Sequence, residues 1–269
     1  RDGRKDLEAL RLRYSNQRSK VIKNEKFPSW RATGSMRGAR GIGLTVEGDG
    51  SGAILVVQVP AGGHRDYIVP LDFTGKKALI TGSGGGIGKA IALLLADMGA
   101  DIVVNDISVE NAQQTAREII SKGRKAIVSN ANVVHDAQVK KMFESISQDF
   151  GRIDILVNNA GGGPPVAAAN ASPELTQKII SLNLLAPLVL AQQAHALLTK
   201  ANDIASIVNI ASVSGARPSP GTAAYGAAKA GLLNVTKSLA MEWGPRIRVN
   251  ALIVGLVHNE AGIEHYGGD

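Results

Sequence analysis

The stretch Lys77-Ala-Leu-Ile-Thr-Gly-Ser-Gly-Gly-Gly-Ile-Gly88 decides the fold. Its apolar first half reads as a β-strand ending at Thr81. A glycine turn, Gly82 to Gly88, follows and leads into residues 87–98, whose apolar side chains recur at helical spacing. Strand, glycine turn and helix together form the fingerprint of a pyrophosphate-binding loop. Glycines remove Cβ atoms and permit positive φ, so backbone can approach a phosphate closely. The helix N-terminus then offers free N–H groups and a favourable dipole. Alone, such a turn is equally a tight strand-to-helix loop; its context lends it weight.

Outward from this stretch, short β-rich runs alternate with helical patterns. Strands are predicted at 77–81, 101–105, 125–130, 155–158, 205–210 and 248–253. Helices are predicted at 87–98, 109–122, 134–150, 173–197 and 225–243. This βαβα alternation predicts an α/β fold, a doubly wound parallel sheet of Rossmann type with helices on both faces. Such sheets bind ligands at the carboxyl ends of their strands, where the strand order reverses. Ala251 to Val257, one of the longest uncharged apolar stretches, suits a buried strand.

Asp106 ends the second of these strands, 20 residues after Gly86. A carboxylate at about that spacing accepts hydrogen bonds from the adenosine ribose. It would repel a 2′-phosphate, and no Lys or Arg lies in Ser83-Gly84-Gly85 or directly after Asp106. NAD is therefore expected over NADP. The competing reading of Asp106 is a surface loop aspartate.

Residues 1–70 differ in character from 71–269. They carry 13 Lys and Arg against 7 Asp and Glu, whereas the remainder carries 17 against 16. Leu7, Leu10, Tyr14, Val21 and Ile22 suggest a short amphipathic helix, 27–43 reads as loop, and 53–59 with 67–69 read as a hairpin. The expected organisation is thus a small basic helix-plus-hairpin extension at 1–70 before a nucleotide-binding domain at 71–269. The basic excess lies in residues 1–40. A nucleic acid, an anionic membrane or an acidic partner could meet it. A solvated helix and tail is the preferred reading, because Tyr14, Phe27 and Trp30 are its only aromatics.

The overall composition, 44% hydrophobic and 20% charged, excludes collagen-like, coiled-coil and wholly disordered classes. Cys is absent, which excludes disulfides, thiolate metal sites and a Cys nucleophile and fits a cytoplasmic setting. His64, His135, His195 and His265 lack ligand spacing, so no metal site is expected. No apolar run approaches the ~18 residues of a membrane span. No secretory h-region follows the basic residues. The chain begins at Arg1 without an initiator Met, which suggests a processed, trimmed or partial product.

Five further elements stand in order: Thr81-Gly-Ser-Gly-Gly-Gly-Ile-Gly88, Asn158-Asn-Ala-Gly161, Asn183, Ser212 and Tyr225-Gly-Ala-Ala-Lys229. With them residues 71–269 resemble the short-chain dehydrogenase/reductase family, and 3-oxoacyl thioester reductases look closest. The resemblance implies an oxidoreductase passing a hydride between a nicotinamide and a secondary alcohol or ketone. Tyr225 would exchange the proton with the substrate oxygen, and Ser212 would hydrogen-bond that oxygen. Lys229 would hold the nicotinamide ribose, and Asn183 would position a water relaying protons to it. Tyr225 and Lys229, four apart, share a helix face. A free phenol has a pKa of about 10, and a nearby ammonium lowers it. Cofactor contacts are implied at Gly82, Ser83, Gly86, Ile87, Gly88, Asp106, Asn132, Val133, Asn159, Ala160, Gly161, Tyr225, Lys229 and Gly255.

Some positions depart from the family pattern. Asn132-Val133 stands for Asp-Val near the adenine, and Val254-Gly255 stands for Pro-Gly. Leu256-Val-His-Asn259 lacks the usual Thr, with His258 either a substitute donor or a loop residue. The chain stops inside the expected substrate loop, before the family's seventh strand and last helix. Trimming, natural truncation and completion of the edge by the 1–70 hairpin are the alternatives, the first preferred. The family's usual assembly implies a homodimer or homotetramer through the Ala-rich helices at 173–197 and 225–243. Two other classes stay open: a nucleotide-binding scaffold without turnover, and a basic recruitment module at 1–70. The complete Ser212, Tyr225 and Lys229 set argues against the scaffold.

Overall fold

A computed structural model describes residues 30–35, 43–48, 53–58, 66–255 and 257. The chain divides into two compact units, Arg1–Asp72 and Phe73–Asp269.

The first unit contains an antiparallel sheet of four strands in chain order: β1 (Trp30–Ser35), β2 (Gly43–Gly48), β3 (Ala53–Gln58) and β4 (Asp66–Leu71). The expected hairpin is the β3–β4 pair, with Leu55 opposite Val69. Two strands were not expected. β1 falls in a stretch read as loop, and β2 follows it, with Thr33 opposite Thr45. Glycine-rich segments have weak strand propensity, and ladder hydrogen bonds to a neighbour override it. The expected helix in the first 29 residues lies outside the described residues.

The second unit is the expected doubly wound sheet. Its six parallel strands are β5 (Lys77–Thr81), β6 (Asp101–Asn105), β7 (Ala126–Ser129), β8 (Ile155–Asn158), β9 (Ala205–Ser212) and β10 (Ile247–Val254). They lie in the order β10-β9-β8-β5-β6-β7. The helices are α1 (Gly86–Asp97), α2 (Val109–Ser121), α3 (Asp136–Asp149), α4 (Pro173–Ile180), α5 (Ala186–Leu198) and α6 (Ala223–Trp243).

Strand alternation builds two cores. Ala78, Ile80, Ile102 and Val104 face α1 and α2 through Ala92, Ala112 and Ile119. Leu79, Val103, Leu156 and Ile207 face the other way, against Phe143, Leu190, Leu198 and Leu239 of α3, α5 and α6. Successive side chains on a strand point to opposite faces, so a sheet covered on both sides needs continuous apolar runs. The strand order reverses between β5 and β8. The crevice expected at that point lies beside Gly82 and Asn158–Gly161.

Three expectations are corrected. The single helix expected at 173–197 is interrupted: a π-helical turn, Ser181–Leu185, joins α4 to α5. The combined segment Pro173–Leu198 is long and apolar enough to cross a membrane, which the run-length reading missed. Ile179, Leu190, Ala194 and Leu198 on this segment are buried within the unit. Ala251 to Val257 does not form a buried strand either. Among the described residues β10 has a neighbour on one side only, and Leu252 and Ile253 are each about half exposed.

Candidate active site

Residues of the glycine turn frame the opening of α1. Gly82 and Gly86 sit at φ +63 and +52, in the left-handed region. Gly88 is required sterically: a Cβ there would lie 2.2 Å from the Gly82 carbonyl oxygen. α1 has no side-chain cap, because Gly85 occupies the N-cap. The N–H groups of Gly86, Ile87 and Gly88 precede the first intrahelical bond, from Lys89 N to Gly85 O. They form an uncapped helix N-terminus suited to an anion. Ser83 turns inward instead. It is fully buried, its hydroxyl donates to the Ile80 carbonyl at 2.8 Å, and its N–H donates to Asn105 O.

Asp106, just past β6, bridges two loops. Its Oδ2 accepts from Gly84 N and its Oδ1 from Ser108 N, both at 2.9 Å. Each carboxylate oxygen retains acceptor capacity toward a ligand hydroxyl. Asn132 holds its own loop, accepting from Val134 N at 3.3 Å and donating its N–H to Gln138 Oε1 at 2.8 Å. Val133 is buried in the α3-side core. Gly255 is exposed, and a Cβ there would only just reach Val213.

The crevice wall is tied across the switch point. Thr81 Oγ1 accepts from Asn159 N and Ala160 N at 3.0 Å each. Asn159 Nδ2 donates to the carbonyls of Thr81 and Gly82. The glycine turn and the Asn158–Gly161 loop therefore move as one piece.

The expected catalytic groups converge on this wall. A Cβ on Gly161 would lie 2.8 Å from Asn183 Oδ1 and 3.3 Å from Lys229 Nζ, which puts all three within contact. Lys229 is buried, and its Nζ donates to the Ile210 carbonyl at 2.7 Å. Its Nζ also stands 5.6 Å from the centre of the half-buried Tyr225 ring. Burial lowers the Lys229 ammonium pKa to about 8. Ser212 ends β9, and its Oγ accepts from Ser214 N at 3.2 Å. The following turn, Val213–Gly215, presses on α6: a Cβ on Gly215 would fall 2.6 Å from the Lys229 carbonyl carbon.

Asn183 is buried beside Gly161. Its side chain is spent on structure: Oδ1 accepts from Gly162 N at 2.9 Å, and Nδ2 donates to Gly162 O and Ile179 O. Pro187, four residues on, has no N–H with which to bond the Asn183 carbonyl. That spacing was the sequence signal for the π-helical turn, a feature frequent at functional sites.

Next to Tyr225 a cleft of about 160 Å³ is lined by Pro164, Val166, Ala168, Thr176 and Ile179 among others. A bond from Val166 N to Gly221 O, at 2.7 Å, ties its two loops together. A larger hollow of about 350 Å³ lies between β7 and α3, and none of the four expected catalytic residues lines it.

Comparison with known proteins agrees with this geometry. The family model described as short chain dehydrogenase matches residues 76–265. A 3-oxoacyl-(acyl-carrier-protein) reductase of Thermotoga maritima is 38% identical over 184 residues, covering 68% of this chain and 74% of that protein. The crystal structure of an NAD+-bound xylitol dehydrogenase superposes with a TM-score of 0.67 at 30% identity, over 70% of this chain and 73% of that one. A gluconate 5-dehydrogenase from Burkholderia cenocepacia, solved with NADP and tartrate, gives 0.66 at 34% identity, over 71% and 74%.

Proposed function

This chain belongs to the short-chain dehydrogenase family, and on that premise we propose that it is an NAD-dependent oxidoreductase of a secondary alcohol or its ketone. A 3-oxoacyl thioester is the first substrate to try, by analogy with the Thermotoga relative. One observation supports the catalytic reading above the others. Lys229 is a buried cation whose lowered pKa has desolvation as its cause, and it stands against the Tyr225 ring.

The donor set fits a dinucleotide. The uncapped N–H groups of α1 suit its pyrophosphate, and the Asp106 carboxylate suits ribose hydroxyls. Gly161 brings backbone close beside Asn183 and Lys229. When bound, the dinucleotide supplies or accepts the hydride. The chain's own residues handle the proton. Tyr225 gives it to the carbonyl oxygen in reduction and takes it from the alcohol in oxidation. Lys229 stabilises the phenoxide that remains. Ser212 holds the substrate oxygen, and the Asn183 carbonyl holds a water that returns the proton by way of Lys229. Val133 and Gly255 contribute backbone at most, since Val133 is in the core and Gly255 has no side chain, whereas Asn132 keeps its side-chain amide N–H groups beyond the bonds that hold its loop.

NAD is preferred because the Asp106 carboxylate, held by two backbone N–H groups, suits ribose hydroxyls and no cation directly follows it. Fluorescence titration with NADH and NADPH tests this on wild type and Asp106→Ala. Wild type should bind NADH at least about tenfold more tightly, and the variant should lose that ratio, a change of ~1.4 kcal/mol. Tighter NADPH binding by wild type would overturn the preference. The expected homodimer or homotetramer rests on exposed apolar side chains such as Leu185 and Met241. A monomer by light scattering would remove it. A cytoplasmic setting completes the reading.

A further inference from the structure

A string of buried polar side chains runs beneath the catalytic groups, and the mechanism above does not use it. Asn158 Nδ2, at the end of β8, donates to the α5 carbonyl of Pro187 at 3.3 Å and to Asn209 Oδ1 at 2.8 Å. Asn209 Nδ2, on β9, donates to Thr236 Oγ1 at 2.9 Å. The Thr236 hydroxyl then donates to the Leu232 carbonyl within α6 at 2.7 Å. Asn158, Asn209 and Thr236 are 2%, 2% and 6% exposed, so no solvent competes for these bonds.

The string touches each element that carries a catalytic group. Asn158 begins the loop that reaches Gly161, Asn209 lies three residues before Ser212, and Thr236 lies seven after Lys229. Seven residues make two helical turns, about 10 Å, so Lys229 and Thr236 share one face of α6. The buried residues on that face include Lys229, Leu232, Thr236 and Leu239. α6 is therefore pinned to β9 at two adjacent points: Thr236 at the Asn209 side chain and Lys229 at the Ile210 carbonyl. Apolar contacts alone would let a helix slide or roll over a strand, since dispersion is non-directional. A buried hydrogen bond is directional and costly to leave unmade.

We propose that the Asn158–Asn209–Thr236 string sets the placement of Lys229 beneath Tyr225, which makes Asn209 and Thr236 positioning residues of the active site. This rests on the oxidoreductase reading for its consequence, although the positioning can be measured without it. The groups facing Lys229 are the Tyr225 ring on its own helix, the neutral Asn183 amide, and the Ile210 carbonyl of β9. Its ionisation therefore reports how deeply its ammonium is held.

The test uses ligand-free protein with 13C-labelled lysine ε-carbons, followed by NMR across pH. Lys229 is assigned by the resonance missing from Lys229→Met. Thr236→Val keeps the side-chain shape and removes both bonds of the hydroxyl. It should move the Lys229 midpoint upward from about 8 toward the ordinary lysine range, by at least half a unit, as water reaches the ammonium. Thr236→Ser should return it to the wild-type value. Asn209→Ala, which cuts the same link from the strand, should reproduce the shift and serves if Thr236→Val does not fold. A folded Thr236→Val or Asn209→Ala with a lower melting point but an unmoved Lys229 midpoint would overturn the proposal, because the string would then be structural only. Wild type that binds neither NADH nor NADPH, with the shift still present, would sink the oxidoreductase reading and leave the positioning intact.

Discussion

The two ends of the parallel sheet in the second unit treat charge in opposite ways. At the amino ends of the strands, most cations meet a carboxylate or several carbonyls, although burial lowers the Lys77 ammonium pKa as well. Asp154, 3% exposed at the start of β8, accepts from Lys77 N at 2.9 Å and Arg152 Nε at 3.2 Å. Arg152 also donates to Gly75 O, and Lys77 Nζ donates to Phe150 O. Lys76 pairs with Asp203, and Arg246 gathers the carbonyls of Thr199, Ala201 and Asp203. At the carboxyl ends, Lys229 is buried on a lone carbonyl with burial as the cause of its lowered pKa, and α1 keeps its first N–H groups uncapped. One end is largely bound up in internal pairs, with Asp154 Oδ1 the exception. The other holds unmet electrostatic demand, which a ligand can answer.

The contrast makes graded predictions. The largest effect is expected from Tyr225→Phe at the carboxyl end. It should lower turnover by at least about 100-fold, within the range of a lost acid–base group, while the protein stays folded and still binds NADH. Undiminished activity on a panel of ketones would break the assignment of chemistry to that end.

Asp154→Ala should do the reverse at the amino end. It strands the Lys77 N–H and the Arg152 guanidinium, so chemical denaturation should show a loss of about 2–3 kcal/mol. Activity per folded molecule should be retained. A parallel loss of activity would mean that the two ends are coupled.

Lys229→Met sharpens the contrast. The folded pKa of about 8 lies below the ordinary value of 10.5, so the unfolded chain holds that proton more tightly. The wild type therefore carries a stability deficit that is full below pH 8 and fades as pH rises toward 10.5. After allowing for the lost bond to Ile210, the variant should be more stable at pH 7 by roughly 2 kcal/mol. Denaturation curves at several pH values check it, and an equal difference at every pH would count against the burial account. The smallest effect is expected from Asp203→Ala. Its pair with Lys76 is exposed, and such pairs contribute little, so the melting point should not move measurably.

Much of the second unit was legible in its sequence, for identifiable reasons. β5, β6 and β8 lie where apolar runs end at glycine or asparagine, and both sheet faces are covered, so no polar alternation disguised them. The motif spacing also marked Asp106, Gly161, Ser212, Tyr225 and Lys229. What stayed hidden depends on contacts distant in sequence. The inward turn of Ser83 is set by Asn105, 22 residues away. The π-helical turn is bound up with the Asn183 grip on Gly162. Strands β1 and β2 depend on ladder bonds to partners that glycine-rich segments do not announce.

Pro187 gives the helix a missing rung. An alanine there would return an amide hydrogen to the Asn183 carbonyl, and α4 and α5 could close into one regular cylinder. That helix would be more regular, and the proposed path of a proton through the Asn183 carbonyl would be closed. The same substitution that looks conservative on a propensity scale would thus reach the site twice, through that carbonyl and through the Asn183 side chain that the turn holds against Gly162.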